Sequence, residues 1–206
     1  MKEKKSILSY AKDTIELQAN SIKNLYKLLT KDFEKAVNLI NKTKGRVVVS
    51  GIGKSAIIAQ KIVATLNSTG TPSVFMHAAD AIHGDLGLIQ KNDIIICISK
   101  SGNTPEIKAL VPYIKTTFNK LIAITGETNS YLSEKSDIVI NSYVDAEACP
   151  NNLAPTTSTT AQLVIGDAIA VCLVKSRFIN YFRVIIFYFL DKYFFTFSVF
   201  IGGIYT

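Results

Sequence analysis

Five short runs rich in β-branched residues, Arg46–Ser50, Ser73–His77, Asp93–Ser99, Lys120–Thr125 and Asp137–Asn141, recur along the chain, separated by segments long enough for a helix or a turn of one. Within the runs apolar residues fall on successive positions and do not alternate with polar ones. A strand wetted on one face alternates, whereas a strand covered on both faces does not, so these runs suit a parallel sheet between helical layers. The fold expected is α/β: a doubly wound five-stranded parallel sheet flanked by helices and preceded by N-terminal helices. Open sheets of this kind bind ligands beyond the carboxyl ends of their strands, which directs attention to the residues just after each run.

A chain of 206 residues has room for one such domain with appendages. Residues 1–44 form the first appendage. From Ser6 to Lys44 there is neither Gly nor Pro, and Ile22, Leu25, Tyr26, Leu29, Phe33, Ala36, Val37 and Ile40 follow the three-and-four stepping of one helix face. An amphipathic helix interrupted near Asn20 and Ser21 is expected. The domain occupies residues 45–177 and closes on a helix that starts at Thr159, where Thr159 and Gln162 have capping-box spacing, and runs to about Lys175. The aromatic content then changes abruptly: residues 178–206 carry 12 of the 20 Phe and Tyr. That shift marks a boundary near Arg177.

The net charge of +7 resembles a nucleic-acid signal until it is divided. Residues 1–46 hold 11 Lys and Arg against 5 Asp and Glu, whereas residues 47–177 hold 10 against 10. A neutral domain argues against a groove for a phosphate backbone, and no nucleic-acid partner is expected. Cys97, Cys149 and Cys172 are widely spaced, with no CxxC pair and no His at ligand spacing, so neither a disulfide framework nor a metal site is expected. Reduced, largely packed thiols and the lack of an apolar signal-peptide core near Met1 point to the cytoplasm.

The first run ends in Ser50-Gly51-Ile52-Gly53-Lys54-Ser55-Ala56, a turn whose amides and following helix N-terminus can face an anion. The turn is too short in glycines for a P-loop; it does match GxGxxA, with Asp80 as a ribose-binding acid, so a dinucleotide-binding oxidoreductase is one competing reading. The third run ends in Ser99-Lys100-Ser101-Gly102-Asn103-Thr104-Pro105-Glu106. Two alternate serines, a Gly, a Thr at an N-cap and a Pro at the first helical position make a cradle for a phosphate monoester that needs neither metal nor Lys. Considered alone, Glu106 reads as a complement to the helix dipole and His77 as a satisfied structural ring. His83, in AIHGDLG, can serve as an acid or base beside a Gly and a carboxylate, and alone it reads equally well as a structural ring. Glu147 stands between Ala146 and Ala148, where desolvation can raise its pKa toward that of a general base, although an exposed loop Glu is the commoner case.

Taken together, GIGKS, STGTPSVFMHAADAIHGDLG, ISKSGNTPEIKALVPYIK, ITGETNS and EACPNNLAPTTSTTAQLVIGDAIAV resemble, in order and spacing, the sugar isomerase (SIS) domain of arabinose 5-phosphate isomerases over about residues 40–177. The resemblance implies interconversion of D-ribulose 5-phosphate and D-arabinose 5-phosphate through an enediol, feeding 3-deoxy-D-manno-octulosonate synthesis for lipopolysaccharide or capsule. It implies a phosphate site at Ser55, Ser99, Ser101 and Thr104 and a catalytic set of Lys54, His83, Glu106 and Glu147. It implies no cofactor, no metal, a small-molecule sugar phosphate as partner, and a homotetramer or homodimer in which His83 reaches a neighbour's site. An enediol route needs a carbon base, a proton relay for the oxygens and an electrophile for the developing charge. Glu147 or Glu106, His83 and Lys54 fill those roles.

Two departures accompany the resemblance. The chain reads as a short form without the CBS pair that many members carry, and residues 178–206 hold no His where the family has an active-site one. Their Phe, Ile, Tyr, Asn and Lys content is that of an A/T-rich gene read out of frame, which is the expectation adopted; a native tail would instead offer an apolar surface to a membrane. The competing reading that shares this fold is a catalytically impaired SIS sugar-phosphate-binding protein or regulator.

Overall fold

The computed structural model describes residues 5–177, so the atypical tail at 178–206 lies outside the described residues. Two helices, α1 (Ile7–Leu28) and α2 (Lys31–Lys42), precede β1 (Val47–Gly51). There follow α3 (Lys54–Ser68), β2 (Ser73–His77), the single-turn α4 (Ala78–Ala81), a 3-10 turn at Asp85–Leu88, β3 (Ile94–Ser99) and α5 (Pro105–Thr116). The last elements are β4 (Lys120–Thr125), α6 (Tyr131–Lys135), β5 (Ile138–Asn141) and α7 (Thr157–Ser176). The five strands form one sheet of order β2-β1-β3-β4-β5 with every pairing parallel.

Each buried run faces two helical layers, which is why its residues are apolar on successive positions. Val47, Val49, Ile94, Ile96 and Ile98 pack with residues of α1, α2, α3 and α7, while Val48, Ile95 and Cys97 pack with residues of α4, α5 and α6. Alternation along a strand thus selects a layer rather than separating core from solvent. Helix α7 is long and apolar enough to cross a membrane, yet half of it is buried, with Ala161, Ile165, Ile169 and Leu173 in the core that α3 completes.

Three expectations at the helices are corrected. The N-terminal segment does not break near Asn20 and Ser21, because Ser21 Oγ donates to Leu17 O at 2.9 Å inside an unbroken turn. It breaks at Leu29–Thr30, where Thr30 Oγ1 accepts the Asp32 N–H and caps α2. Tyr26, placed on the apolar face by its spacing, is exposed. Helix α7 begins at Thr157 and not at Thr159: Thr159 Oγ1 donates to Thr156 O, and Gln162 is fully buried away from any capping position.

At the amino end of the sheet, Asp93 is buried and accepts from Arg46 N at 2.7 Å, Arg46 Nη2 at 2.8 Å and Gln90 N at 2.9 Å. Burial alone pushes its carboxyl up, and these donors outweigh burial to hold it below its ordinary value. Asp93→Ala leaves two backbone N–H groups and a guanidinium without their acceptor, for an expected loss on the order of 3 kcal/mol. Urea unfolding of the variant checks this, and an unchanged midpoint would remove the clamp.

Candidate active site

The register brings the first and third strand ends side by side. Gly51 pairs with Ile98 on one side and with His77 on the other, while Ser99 pairs with Thr125. The turns after β1 and β3 therefore lie at the point where the strand order reverses, the position at which sheets of this order hold ligands.

The β3 turn is built as the sequence implies. Ser99 Oγ accepts from Gly102 N at 3.1 Å, Ser101 Oγ accepts from Asn103 N at 3.3 Å, and Pro105 opens α5. Thr104 takes the N-cap position, but its hydroxyl makes no capping bond and is a buried oxygen without a partner. Such an atom is costly to leave unmet, and an anion seated on the turn would meet it. Beside it, Lys54 is exposed at the first position of α3, and Ser55 Oγ donates to Gln162 Oε1 at 3.1 Å. Gln162 is itself wholly buried, and its Nε2 lacks a partner. Glu106 is half-buried in the first turn of α5, and its carboxylate has no hydrogen-bond partner among the described residues. Lys54, Ser55, Ser99, Ser101, Thr104 and Glu106 are thus gathered on the turns of β1 and β3.

Of the two histidines, His77 ends β2 beside Gly51 and His83 follows α4. His83 is exposed beyond α4, and its ring has no hydrogen-bond partner among the described residues. His77, read as a satisfied structural ring, has a buried Nδ1 with no hydrogen bond; Asp80 Oδ2 lies 3.7 Å away, too far to satisfy it.

Glu147 overturns its expected electrostatics. Burial does push its carboxyl up, but Lys100 Nζ at 2.7 Å, Ser158 Oγ, Thr156 N at 2.8 Å and Ser158 N at 3.1 Å outweigh burial and hold it down at about 2. The apolar neighbours in sequence were misleading, because the donors come from residues nine and more further along the chain and from the β3 turn. Lys100 was missed altogether; its signal was simply that it is the one cation between the two turn serines.

This pairing has a consequence for acid stability. Folding favours the ionised forms of Glu147 and of Asp137, which donors from Leu121, Lys120 and Lys115 also hold at about 2 against the push of burial. Their contribution is complete above the ordinary values of 4.5 and 3.8 and is lost as the pH falls from there toward about 2. The thermal midpoint should therefore fall steeply below about pH 4.5, and Glu147→Gln should flatten that slope. An equal slope in the variant would show that the carboxylate is not held this way.

The three thiols are free. Burial pushes Cys97 up to about 12, whereas the amides of Ala154, Asn151 and Leu153 lower Cys149, which sits in the same loop as Glu147.

A parallel sheet of this order, with a hydroxyl-rich turn after β3 and a glycine turn after β1 at the strand-order reversal, defines an open doubly wound α/β domain. The SIS domain family matches residues 39–172, and the chain belongs to that family. Within it, the chain is similar to the probable arabinose 5-phosphate isomerase of Haemophilus influenzae, 45% identical over 170 residues that make up 82% of this chain and 50% of that protein. It is similar also to arabinose 5-phosphate isomerase KdsD of Francisella tularensis, 46% identical over 84% of this chain and 54% of that protein. The chain spans about half the length of these relatives. A solved Escherichia coli protein in complex with arabinose 5-phosphate superposes with a TM-score of 0.85 at 35% identity, covering 88% of this chain and 97% of that one.

Proposed function

We propose that the chain is an aldose-ketose isomerase that interconverts D-ribulose 5-phosphate and D-arabinose 5-phosphate, feeding 3-deoxy-D-manno-octulosonate synthesis for lipopolysaccharide or capsule in the cytoplasm. The observation that carries this reading is the hydroxyl turn Ser99–Thr104 with its unmet Thr104 oxygen, set next to Lys54 and Ser55 at the strand-order reversal. Likeness to proteins named for this activity supports the substrate.

In this proposal Ser55, Ser99, Ser101 and Thr104 hold the terminal phosphate, which parks the first two carbons near Lys54 and Glu106. Glu106 moves the proton between the carbons, because its carboxylate is not spent on the fold, and Lys54 steadies the oxyanion of the enediol. Glu147, whose oxygens are already engaged, fixes the wall of the site rather than exchanging protons. His83 relays protons on oxygen. Its exposed ring, without a partner among the described residues, suits donation to a neighbouring copy in a homotetramer or homodimer.

A coupled assay starting from ribulose 5-phosphate tests the proposal, with a nicotinamide titration alongside. Formation of arabinose 5-phosphate is the expected result. Phosphosugar binding without turnover would replace the enzyme by a sugar-phosphate sensor, and nicotinamide binding would overturn the reading.

A further inference from the structure

The side chain of Lys100 takes no part in the roles assigned so far, yet it spans the carboxyl edge of the sheet. Its backbone is pinned beside β4, where its carbonyl accepts from Gly126 N at 3.0 Å and Thr125 Oγ1 at 3.3 Å. Its aliphatic stem passes over Gly126, where a Cβ would come within 3.9 Å of Lys100 Cγ. Its ammonium ends on Glu147 Oε1 beyond β5, at 2.7 Å. One side chain thus joins the phosphate turn of β3 to the segment that follows β5.

The connection continues past Glu147. The same carboxylate accepts from Thr156 N and Ser158 N, which fix the start of α7, and Glu147 N donates to Asn152 Oδ1 at 2.7 Å across the intervening loop. One turn along α7 from Ser158, Gln162 receives the Ser55 hydroxyl, next to Lys54. The path therefore leaves the phosphate turn and returns to the lysine on the opposite side of the site. An ammonium carries three donors, and Lys100 spends one on Glu147 while its side chain remains 46% exposed. It has donors left for an anion in the turn without releasing the carboxylate.

We propose that Lys100 is a positioning residue: it couples occupancy of the phosphate turn to the Glu147–Ser158 wall and, through α7, to the Lys54–Ser55 turn. This rests on the phosphate site proposed above. An anion on the turn that also bonds Lys100 holds the ammonium between two acceptors and removes the side chain's freedom to swing away from Glu147, so that the wall becomes ordered when the sugar phosphate is in place. A misplacement of about 1 Å in such a wall is enough to cost on the order of a hundredfold in rate.

Hydrogen exchange read by peptide mass spectrometry, with inorganic phosphate as the probe, tests the coupling in the full chain. In the wild-type chain phosphate should slow exchange in residues 99–104 and also in residues 147–158. In Lys100→Met it should still slow the first segment and no longer slow the second, and Lys100→Arg should restore the second. On ribulose 5-phosphate, Lys100→Met should lower kcat by about tenfold or more, with a smaller change in KM. Protection of residues 147–158 by phosphate that survives in Lys100→Met would overturn the coupling while leaving the phosphate site intact. So would a rise in KM with kcat unchanged, since Lys100 would then be only a ground-state ligand. Absence of any protection at residues 99–104 in the wild-type chain would sink the phosphate site itself, and the coupling with it.

Discussion

Glu106→Gln is expected to lower kcat for ribulose 5-phosphate by at least about a hundredfold, with the thermal midpoint lowered by no more than about 3 °C. The reason is a division of labour between two carboxylates that the sequence could not separate. Glu147 is buried and receives hydrogen bonds from Lys100, Thr156 and Ser158, so its lone pairs are committed to holding the chain together. Glu106 is half-buried, makes no side-chain hydrogen bond among the described residues, and stands in the first turn of the helix that the turn after β3 opens into. An amide there removes the proton acceptor and costs the fold only the carboxylate's complement to the helix dipole, about 0.3–1 kcal/mol. Glu147→Gln behaves in the opposite sense: two backbone amides and an ammonium lose an anion, so the midpoint falls along with the rate. Kinetics and calorimetry on the two variants decide the matter. A near-normal rate for Glu106→Gln would take the carbon base away from it, and a variant that loses both rate and midpoint would show that Glu106 supports the fold.

What could be read from the sequence was what local pattern controls. The runs predicted the strands to within one residue at each end, because a strand buried on both faces must be apolar throughout, and the runs are too short for buried helices. The turns after β1 and β3 were legible for the same reason, since strand ends and Gly-Ser-Thr turn chemistry are neighbours in sequence. Features that depend on residues far apart were not. The electrostatics of Glu147 rest on Lys100, 47 residues away, and on hydroxyls nine and eleven residues later. Apolar flanks in sequence say nothing about such donors. Competing hydroxyls produced the helix errors. Ser21 bonds back to Leu17 within its helix, Thr30 caps the next one, and a Thr-rich stretch offers several starts for α7, among which the distant Glu147 carboxylate chooses by accepting from Thr156 N and Ser158 N.

The geometry of the turn after β3 also sets the cost of replacing Gly102. Its φ is +62°, its N–H donates to Ser99 Oγ at 3.1 Å, and its carbonyl receives Leu132 N at 3.0 Å, so the residue joins the turn to the start of α6. A Cβ placed there would run into the Ser130 hydroxyl and come within 2.6 Å of Ser130 Cβ. Ser130 cannot withdraw: it is fully buried, caps α6 through Ser133 N, and donates to Glu127 O at 2.8 Å. Gly102→Ala therefore adds left-handed backbone strain of about 1–2 kcal/mol to an overpacking cost of about 1–3 kcal/mol. For a domain of this size that is a fall of roughly 5–15 °C in the thermal midpoint. The strain is relieved by moving the turn, which carries Ser99, Ser101 and Thr104 off the phosphate, so the KM for ribulose 5-phosphate should rise by more than about tenfold in the same variant. Gly87→Ala is the control, because a Cβ there meets nothing within 4 Å and the φ is ordinary. The pair separates two explanations of any loss. If Gly102→Ala binds sugar phosphate as tightly as the wild-type chain despite a lower midpoint, the turn it strains is not where the phosphate sits.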